Sequence, residues 1–274
     1  NDAFGADTWQ DESWRFTGHA NVWGLMSLDE ERGLLYIPTS TPSSDFWGGR
    51  RVGANLFAES LVALDARTGQ REWHFQTVHH GLWDYDLTSA PNLMTLEVDG
   101  RSIDAVAEVS KQGFTYVFDR VTGEPVWPIE ERPVPTDTDI AGEIPWPTQP
   151  FPTRPAPFDY QGVTIDDLVD FTPEIRAMAI EAIEPFRIGP MYTPHSQRGT
   201  VFRPGSSAGS WSGAAVDPET GMLYVPSTNQ FAVKQFREPE PGEDASLRFI
   251  ERRGSARPQM PQGLPLFKPP YSRM

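Results

Sequence analysis

The chain has 274 residues, a mass of 30.7 kDa and a formal net charge of −15. Hydrophobic residues are 38% and charged residues 22%, which supplies apolar side chain for a packed core and excludes wholesale disorder. The acidic balance argues against a phosphate-backbone binder, so no nucleic-acid partner is expected, and the absence of cysteine excludes a disulfide or a thiolate metal site.

No run of about 18 apolar residues occurs, so no segment is expected to cross a bilayer as a helix. The 27 Pro and 23 Gly exceed average usage and predict many turns and long irregular loops. The chain opens NDAFGADTWQ and ends PPYSRM. Both ends read as cut, as expected of an internal piece of a longer protein.

In chain order, one local pattern recurs: an apolar stretch, Asp-x-x-x-Gly, and a second apolar stretch. It occupies 26–38 (MSLDEERGLLYIP), 61–73 (LVALDARTGQREW), 116–127 (YVFDRVTGEPVW) and 214–226 (AAVDPETGMLYVP). Each copy predicts a strand, a tight turn and a returning strand. The Asp side chain caps the turn, and Gly takes the positive φ it needs. Trp73 and Trp127 stand at the same offset after their turn glycines. Repeated hairpins with a regular Trp point to an all-β propeller with long insertions between blades; a β-sandwich of unrelated hairpins is the alternative.

Residues 130–190 break the pattern as an insertion between blades. From Glu130 to Tyr160 Pro dominates, which predicts extended, irregular chain crossing a surface. Residues 164–184 are the clear helical stretch. Thr172 is placed to N-cap, Pro173 fits the first turn, and Ile175, Met178, Ala179 and Ile183 recur at helical spacing. The tail, 236–274, has little periodicity and reads as a long loop that neighbours outside the chain would order.

The densest chemistry is QTVHHGLWDYDL, 76–87. A carboxylate beside an aromatic at a strand exit is a candidate general base. The plainer reading makes His79 and His80 hydrogen-bonded loop residues and Asp84 and Asp86 turn caps. The two His have no zinc-type spacing. Lys111, between a strand and a Gly turn, can neutralise an anion or a quinone oxygen, although most such lysines are solvated. Trp23 and Trp211, each set among small residues, can offer a ring face to a flat ligand or belong to the core. The chain has no GxGxxG or P-loop, so nicotinamide and nucleotide chemistry lack a foothold.

Taken together, NVWGLMSLDEERGLLYIPT, DFWGG, SLVALDARTGQREWHFQTVHHGLWDYDL, KQGFTYVFDRVTGEPVWPIEERPVP, PTQPFPTRP and GAAVDPETGMLYV resemble the membrane-bound quinoprotein dehydrogenases of the glucose and quinate branch. The resemblance runs from about Asn21 to about Gln230. It implies an eight-bladed quinoprotein β-propeller, about half of it present, so that residues 1–274 form part of one cofactor-binding domain. It implies pyrroloquinoline quinone (PQQ) with a divalent ion, calcium or magnesium. The reaction implied is oxidation of a sugar or cyclic polyol, with ubiquinone as electron acceptor. The location implied is the periplasmic side of the bacterial inner membrane, with any anchor upstream of Asn1.

Residue by residue, the resemblance casts Asp84 as the catalytic base and Lys111 as the cation on the quinone oxygens. Trp23 becomes the stacking floor, and Trp211 a further cofactor contact. His79 and His80 are substrate-side candidates. Thr41 stands where many relatives carry Asn, a calcium ligand in the alcohol-oxidising branch, and is the candidate metal ligand here. Gly81 replaces the Asp of HHDLWD, Ser210 replaces an Asn before the Trp, and Pro226 stands where glucose-branch relatives often have Asn. Two alternatives remain: a soluble-type quinoprotein alcohol dehydrogenase, and a non-catalytic propeller scaffold of outer-membrane assembly. Convergence of Trp23, Asp84 and Lys111 on one funnel would separate enzyme from scaffold.

Overall fold

The computed structural model describes residues 4–205, 211–252 and 257–274; Ser210 lies outside them. The chain folds as a series of small antiparallel sheets. Strands β1 (Ser27–Asp29), β2 (Leu34–Pro38), β3 (Ser60–Asp65) and β4 (Arg71–Gln76) form a four-stranded meander in sequence order, as a propeller blade requires. Strands β5 (Asn92–Val98), β6 (Arg101–Val109) and β7 (Thr115–Asp119) build a three-stranded meander beside it.

The Asp-x-x-x-Gly turns form by the chemistry expected of them. Asp65 Oδ1 accepts from the backbone N–H of Arg67 and Thr68, at 3.0 and 2.8 Å. Asp119 Oδ1 accepts from Val121 and Thr122, at 3.0 and 2.9 Å. Gly33, Gly69, Gly123 and Gly221 all have φ between 67° and 74°, where L side chains are strained. The third copy returns only as an isolated bridge between Phe118 and Pro125; Pro125 and Pro128 interrupt a continuing ladder.

The first two sheets join through aromatic side chains. Trp73 lies 5.9 Å from Tyr36 and 5.7 Å from Phe118, centroid to centroid, and its Nε1 donates to the Arg120 carbonyl at 3.2 Å. Phe75 and Tyr116 extend this core, which continues through Trp83, Tyr85 and Tyr192. A Cβ at Gly123 would lie 2.6 Å from the Trp73 ring, so that glycine serves both its own turn and the neighbouring tryptophan.

Three expectations for the rest of the chain change. The Pro-rich segment is not wholly irregular: β8 (Ile129–Pro133) pairs antiparallel with β9 (Thr148–Pro152). A two-stranded pair leaves each strand one edge without a ladder, where Pro is tolerated. The helix is shorter than residues 164–184. Thr164 and Asp167 close a capping box over a single 3₁₀ turn, Ile165–Asp167, and α1 spans only Pro173–Ile183. Between them Leu168 and Val169 are buried in extended chain, and Val169 N–H donates to the Leu266 carbonyl at 2.9 Å. Pro173 holds Thr172 extended, and the Thr172 hydroxyl caps α1 by accepting from Ile175 N–H at 3.2 Å. Ala179 and Ile183 are buried, but Met178 is 45% exposed.

The tail is packed by the chain itself. After β10 (Thr200–Phe202), β11 (Ala215–Asp217), β12 (Met222–Tyr224) and β13 (Ala232–Lys234), strand β14 (Phe236–Arg237) pairs with β15 (Ile250–Glu251). β10 pairs with β13, and β11 with β12. Met260, Leu266 and Phe267 then bury against Leu168, Val169 and the inner face of α1. The apolar side chains of α1 and the tail are too few to be buried separately, so each supplies the other's partner.

Candidate functional site

Three loops meet where the first two sheets approach each other. The segment after β2, Thr39–Thr41, runs beside His19–Trp23: Ser40 N–H donates to the Asn21 carbonyl at 3.0 Å, and Leu87 N–H donates to the Thr39 carbonyl at 3.2 Å. The loop after β4 carries Asp84 and Asp86. The tight turn between β6 and β7 carries Lys111, with Gly113 at φ 76° closing it. Together they line a cavity of about 380 Å³ whose walls include Trp23, Thr41, Asp84, Asp86, Lys111 and Trp211.

Lys111 is buried and its Nζ lies between two carboxylates, 2.7 Å from Asp86 Oδ2 and 3.4 Å from Asp84 Oδ1. Asp86 also accepts the Thr41 N–H at 2.6 Å. The two aspartates therefore differ. Burial opposes ionisation of Asp86, but Lys111 and the Thr41 amide outweigh it and hold Asp86 below the ordinary carboxylate range. Burial pushes Asp84 up to about 7; Lys111 works against the shift and Asp86 adds to it. Asp84 also adopts φ 59°, an uncommon conformation for a non-glycine residue and one enriched at functional sites. A carboxyl that titrates near neutrality at a cavity wall is suited to general base work.

Trp23 and Trp211 stand at the cavity mouth, 45% and 60% exposed, with ring centroids 4.8 Å apart and planes at 63°. Large exposed aromatic faces beside a cavity offer a surface to a flat or apolar ligand. Thr41 is buried, and its hydroxyl donates to Glu59 Oε1 at 2.8 Å. Glu59 is fully buried, its Oε2 has no partner among the described residues, and burial pushes its carboxyl up to about 8.

Of the residues singled out from the sequence, the structure brings Trp23, Thr41, Asp84, Lys111 and Trp211 to one cavity. His79 and His80 lie elsewhere. His79 contacts Gln76 at 2.8 Å and Glu131 at 2.9 Å. His80 is buried between the Gly53 carbonyl and Glu143, at 2.9 Å each. Both imidazoles are engaged by loop partners, and neither lines this cavity. Sequence reasoning passed over Asp45, His19 and Glu59. Asp45 lies within the quoted DFWGG segment, but nothing local marks Glu59.

The sequence model of PQQ glucose/ethanol/alcohol dehydrogenase, β-propeller domain, matches residues 2–274. The chain is 33% identical to the glycerol dehydrogenase large subunit of Gluconobacter thailandicus over 212 residues, covering 76% of this chain and 29% of that protein. It is 35% identical to quinoprotein glucose dehydrogenase of Escherichia coli K12 over 207 residues, covering 72% and 25%. It is 34% identical to quinate/shikimate dehydrogenase (quinone) of Acinetobacter baylyi over 208 residues, covering 75% and 26%. The chain thus spans little more than a quarter of the length of these relatives. Among solved structures, it superposes on quinohemoprotein alcohol dehydrogenase from Comamonas testosteroni with a TM-score of 0.56 at 23% identity, covering 85% of this chain and 29% of the other. A europium-containing methanol dehydrogenase gives 0.57 at 24%, covering 89% and 35%. These likenesses establish the all-β propeller fold.

Proposed function

The chain belongs to the PQQ glucose/ethanol/alcohol dehydrogenase family of β-propeller domains, and on that premise we propose that it forms the reacting wall of a quinoprotein dehydrogenase that oxidises a sugar or cyclic polyol. The observation that carries this reading is the pairing of Asp84, lifted to about 7, with a buried Lys111 in a cavity faced by two exposed tryptophans.

The residues present fit a planar quinone. Trp23 and Trp211 meet edge to face, so one of the two rings offers its face for stacking, and the Lys111 ammonium is placed to polarise a carbonyl. When bound there, PQQ would supply a hydride acceptor. Asp84 accepts the proton of the substrate hydroxyl, and the Asp86 carboxylate orients the Lys111 side chain through their 2.7 Å contact. Burial strengthens these interactions relative to water. The donor set does not fit a divalent ion: among the described residues no group of three or more His, Asp or Glu side chains is arranged to hold a metal. Lys111 engages both Asp84 and Asp86, and the Thr41 hydroxyl is donated to Glu59. No step is assigned to a metal.

Convergence of Trp23, Asp84 and Lys111 supports an enzyme over a non-catalytic scaffold, which has no need of it. The relatives named for glucose, glycerol and quinate support a polyhydroxylated substrate. Transfer of electrons to ubiquinone and a periplasmic, membrane-associated location follow as parts of the same proposal.

The test is dye-linked dehydrogenase activity of the whole protein with and without added PQQ, on glucose, glycerol, quinate, shikimate and ethanol. Cofactor-dependent turnover that Asp84→Asn lowers by about 10²-fold or more supports the proposal. Absence of turnover together with absence of Trp fluorescence quenching by PQQ overturns it.

A further inference from the structure

One buried carboxyl stands next to the reacting groups without lining their cavity. Glu59, the residue before β3, has no exposed surface. Its backbone is pinned on both sides. The Glu59 N–H donates to the Ser40 carbonyl at 3.1 Å, and the Glu59 carbonyl accepts from the Thr77 N–H and hydroxyl, each at 2.8 Å. So held, the residue adopts φ 47°.

Stability alone does not select such a residue. A non-glycine residue at positive φ is strained, and such strain gathers at functional sites. The Glu59 Oε2 is buried without a partner among the described residues, and an unpaired buried polar atom is destabilising. The fully buried Arg51 directs its donors to the Ser43, Ser44 and Gly81 carbonyls and to Asn55 Oδ1. The carboxyl also takes room from the Asp84 loop. The three atoms nearest to a Cβ at Gly81 all belong to Glu59, at 1.8 to 2.4 Å. Gly81 is not in the left-handed region, so the missing side chain there answers to the Glu59 carboxyl and not to backbone strain.

What the carboxyl secures is a run of short contacts into the cavity. Glu59 Oε1 accepts from the Thr41 hydroxyl at 2.8 Å, and the Thr41 N–H donates to Asp86 Oδ1 at 2.6 Å. Asp86 Oδ2 meets Lys111 Nζ at 2.7 Å, and Lys111 Nζ lies 3.4 Å from Asp84 Oδ1. Thr41 is thus tied by its side chain to one carboxyl and by its main chain to another, so Glu59 fixes where the Thr41 amide points. We propose that Glu59 is a positioning residue of the dehydrogenase: through Thr41 it holds Asp86, and through Asp86 the Lys111 ammonium, at the distance from Asp84 that the reaction needs. This rests on the dehydrogenase reading and adds to it a residue that touches neither substrate nor cofactor. The charged groups that bear on Asp84 are Lys111, Asp86 and Asp45. Without the Glu59 acceptor the Thr41 amide is freed from Asp86. Asp86 then depends more on Lys111 and draws it away from Asp84, which loses part of the positive charge that favours its ionised form.

The experiment compares Glu59→Ala, Glu59→Gln and Thr41→Val with the wild-type whole protein. It records pH–rate profiles with glucose and quinate, and PQQ binding by quenching of Trp fluorescence. Thr41→Val removes the hydroxyl at nearly constant shape, so it tests the link even where Glu59→Ala does not fold. The expected result in Glu59→Ala and Thr41→Val is a fall in kcat of about tenfold, little change in KM, a rising limb moved to higher pH and weaker binding of PQQ. Glu59→Gln keeps an acceptor for Thr41 and should return both kcat and the limb close to wild type. An unshifted limb in Glu59→Ala or Thr41→Val, or a Glu59→Gln variant as impaired as Glu59→Ala, overturns the positioning role and leaves the dehydrogenase reading standing. PQQ binding without turnover in the wild type removes the dehydrogenase reading, and the quenching series then decides the role of Glu59. Binding weakened in Glu59→Ala and Thr41→Val but restored in Glu59→Gln supports its hold on Lys111; equal binding in all four proteins overturns it. Neither binding nor turnover in the wild type overturns both.

Discussion

The Glu59 carboxyl occupies the space a side chain at Gly81 would need: a Cβ built on Gly81 would lie 1.8 Å from Glu59 Oε2. The two positions lie on different loops under the same cavity wall, since Glu59 accepts from Thr41 and Gly81 leads into the Asp84 segment. Gly81→Ala should therefore destabilise the protein by about 1–3 kcal/mol through overpacking. Glu59→Ala in the same molecule should recover part of that loss. Chemical denaturation of the two single variants and the double variant measures the coupling; strict additivity would refute it.

Glu59 also predicts a pH dependence of stability. Its folded-state value of about 8 lies above its ordinary 4.5. Between those values the unfolded chain releases a proton that the native protein retains, so this residue makes stability fall as pH rises from about 4.5 to about 8. No further loss is expected above that window. The contribution is on the order of a few kcal/mol. Glu59→Gln keeps an acceptor for Thr41 and cannot ionise, so the difference in Tm between variant and wild type should grow in favour of the variant from pH 5 to pH 8.

Asp84 works as a base only when deprotonated. With its value near 7, kcat/KM should rise with pH through neutrality and then level. Lys111 lowers that value, so Lys111→Met should move the rising limb to higher pH as well as reduce the maximum. A pH–rate profile of the variant with an unshifted limb would show that Lys111 does not set the charge state of Asp84.

The turns were legible because their determinants are local. An Asp side chain reaches the amides two and three residues on, and a glycine four residues on takes the positive φ. The cavity was legible only in part. Asp84 and Lys111 are 27 residues apart, and no periodicity links them; the family resemblance named them. Glu59 carries no local mark, because its importance lies in contacts made across loops. The paired His79 and His80 drew notice as a dense cluster, yet the fold turns both imidazoles to loop-holding partners, His80 at φ 49°. The prolines of 148–152 masked a strand, since Pro opposes a ladder on one edge only. The helical pattern extended too far because Leu168 and Val169 found partners in the distant tail.

The seat of Trp73 over Gly123 makes adjacent blades interdependent. The Trp73 ring, which follows one glycine turn, fills the hollow left by Gly123, so the turn of the second sheet takes its shape partly from the first. Insertions between Gly123 and the following repeat leave that contact whole, which suits a chain that carries long excursions there. Exchange of the second sheet with a relative's would break that contact unless Trp73 travelled with it.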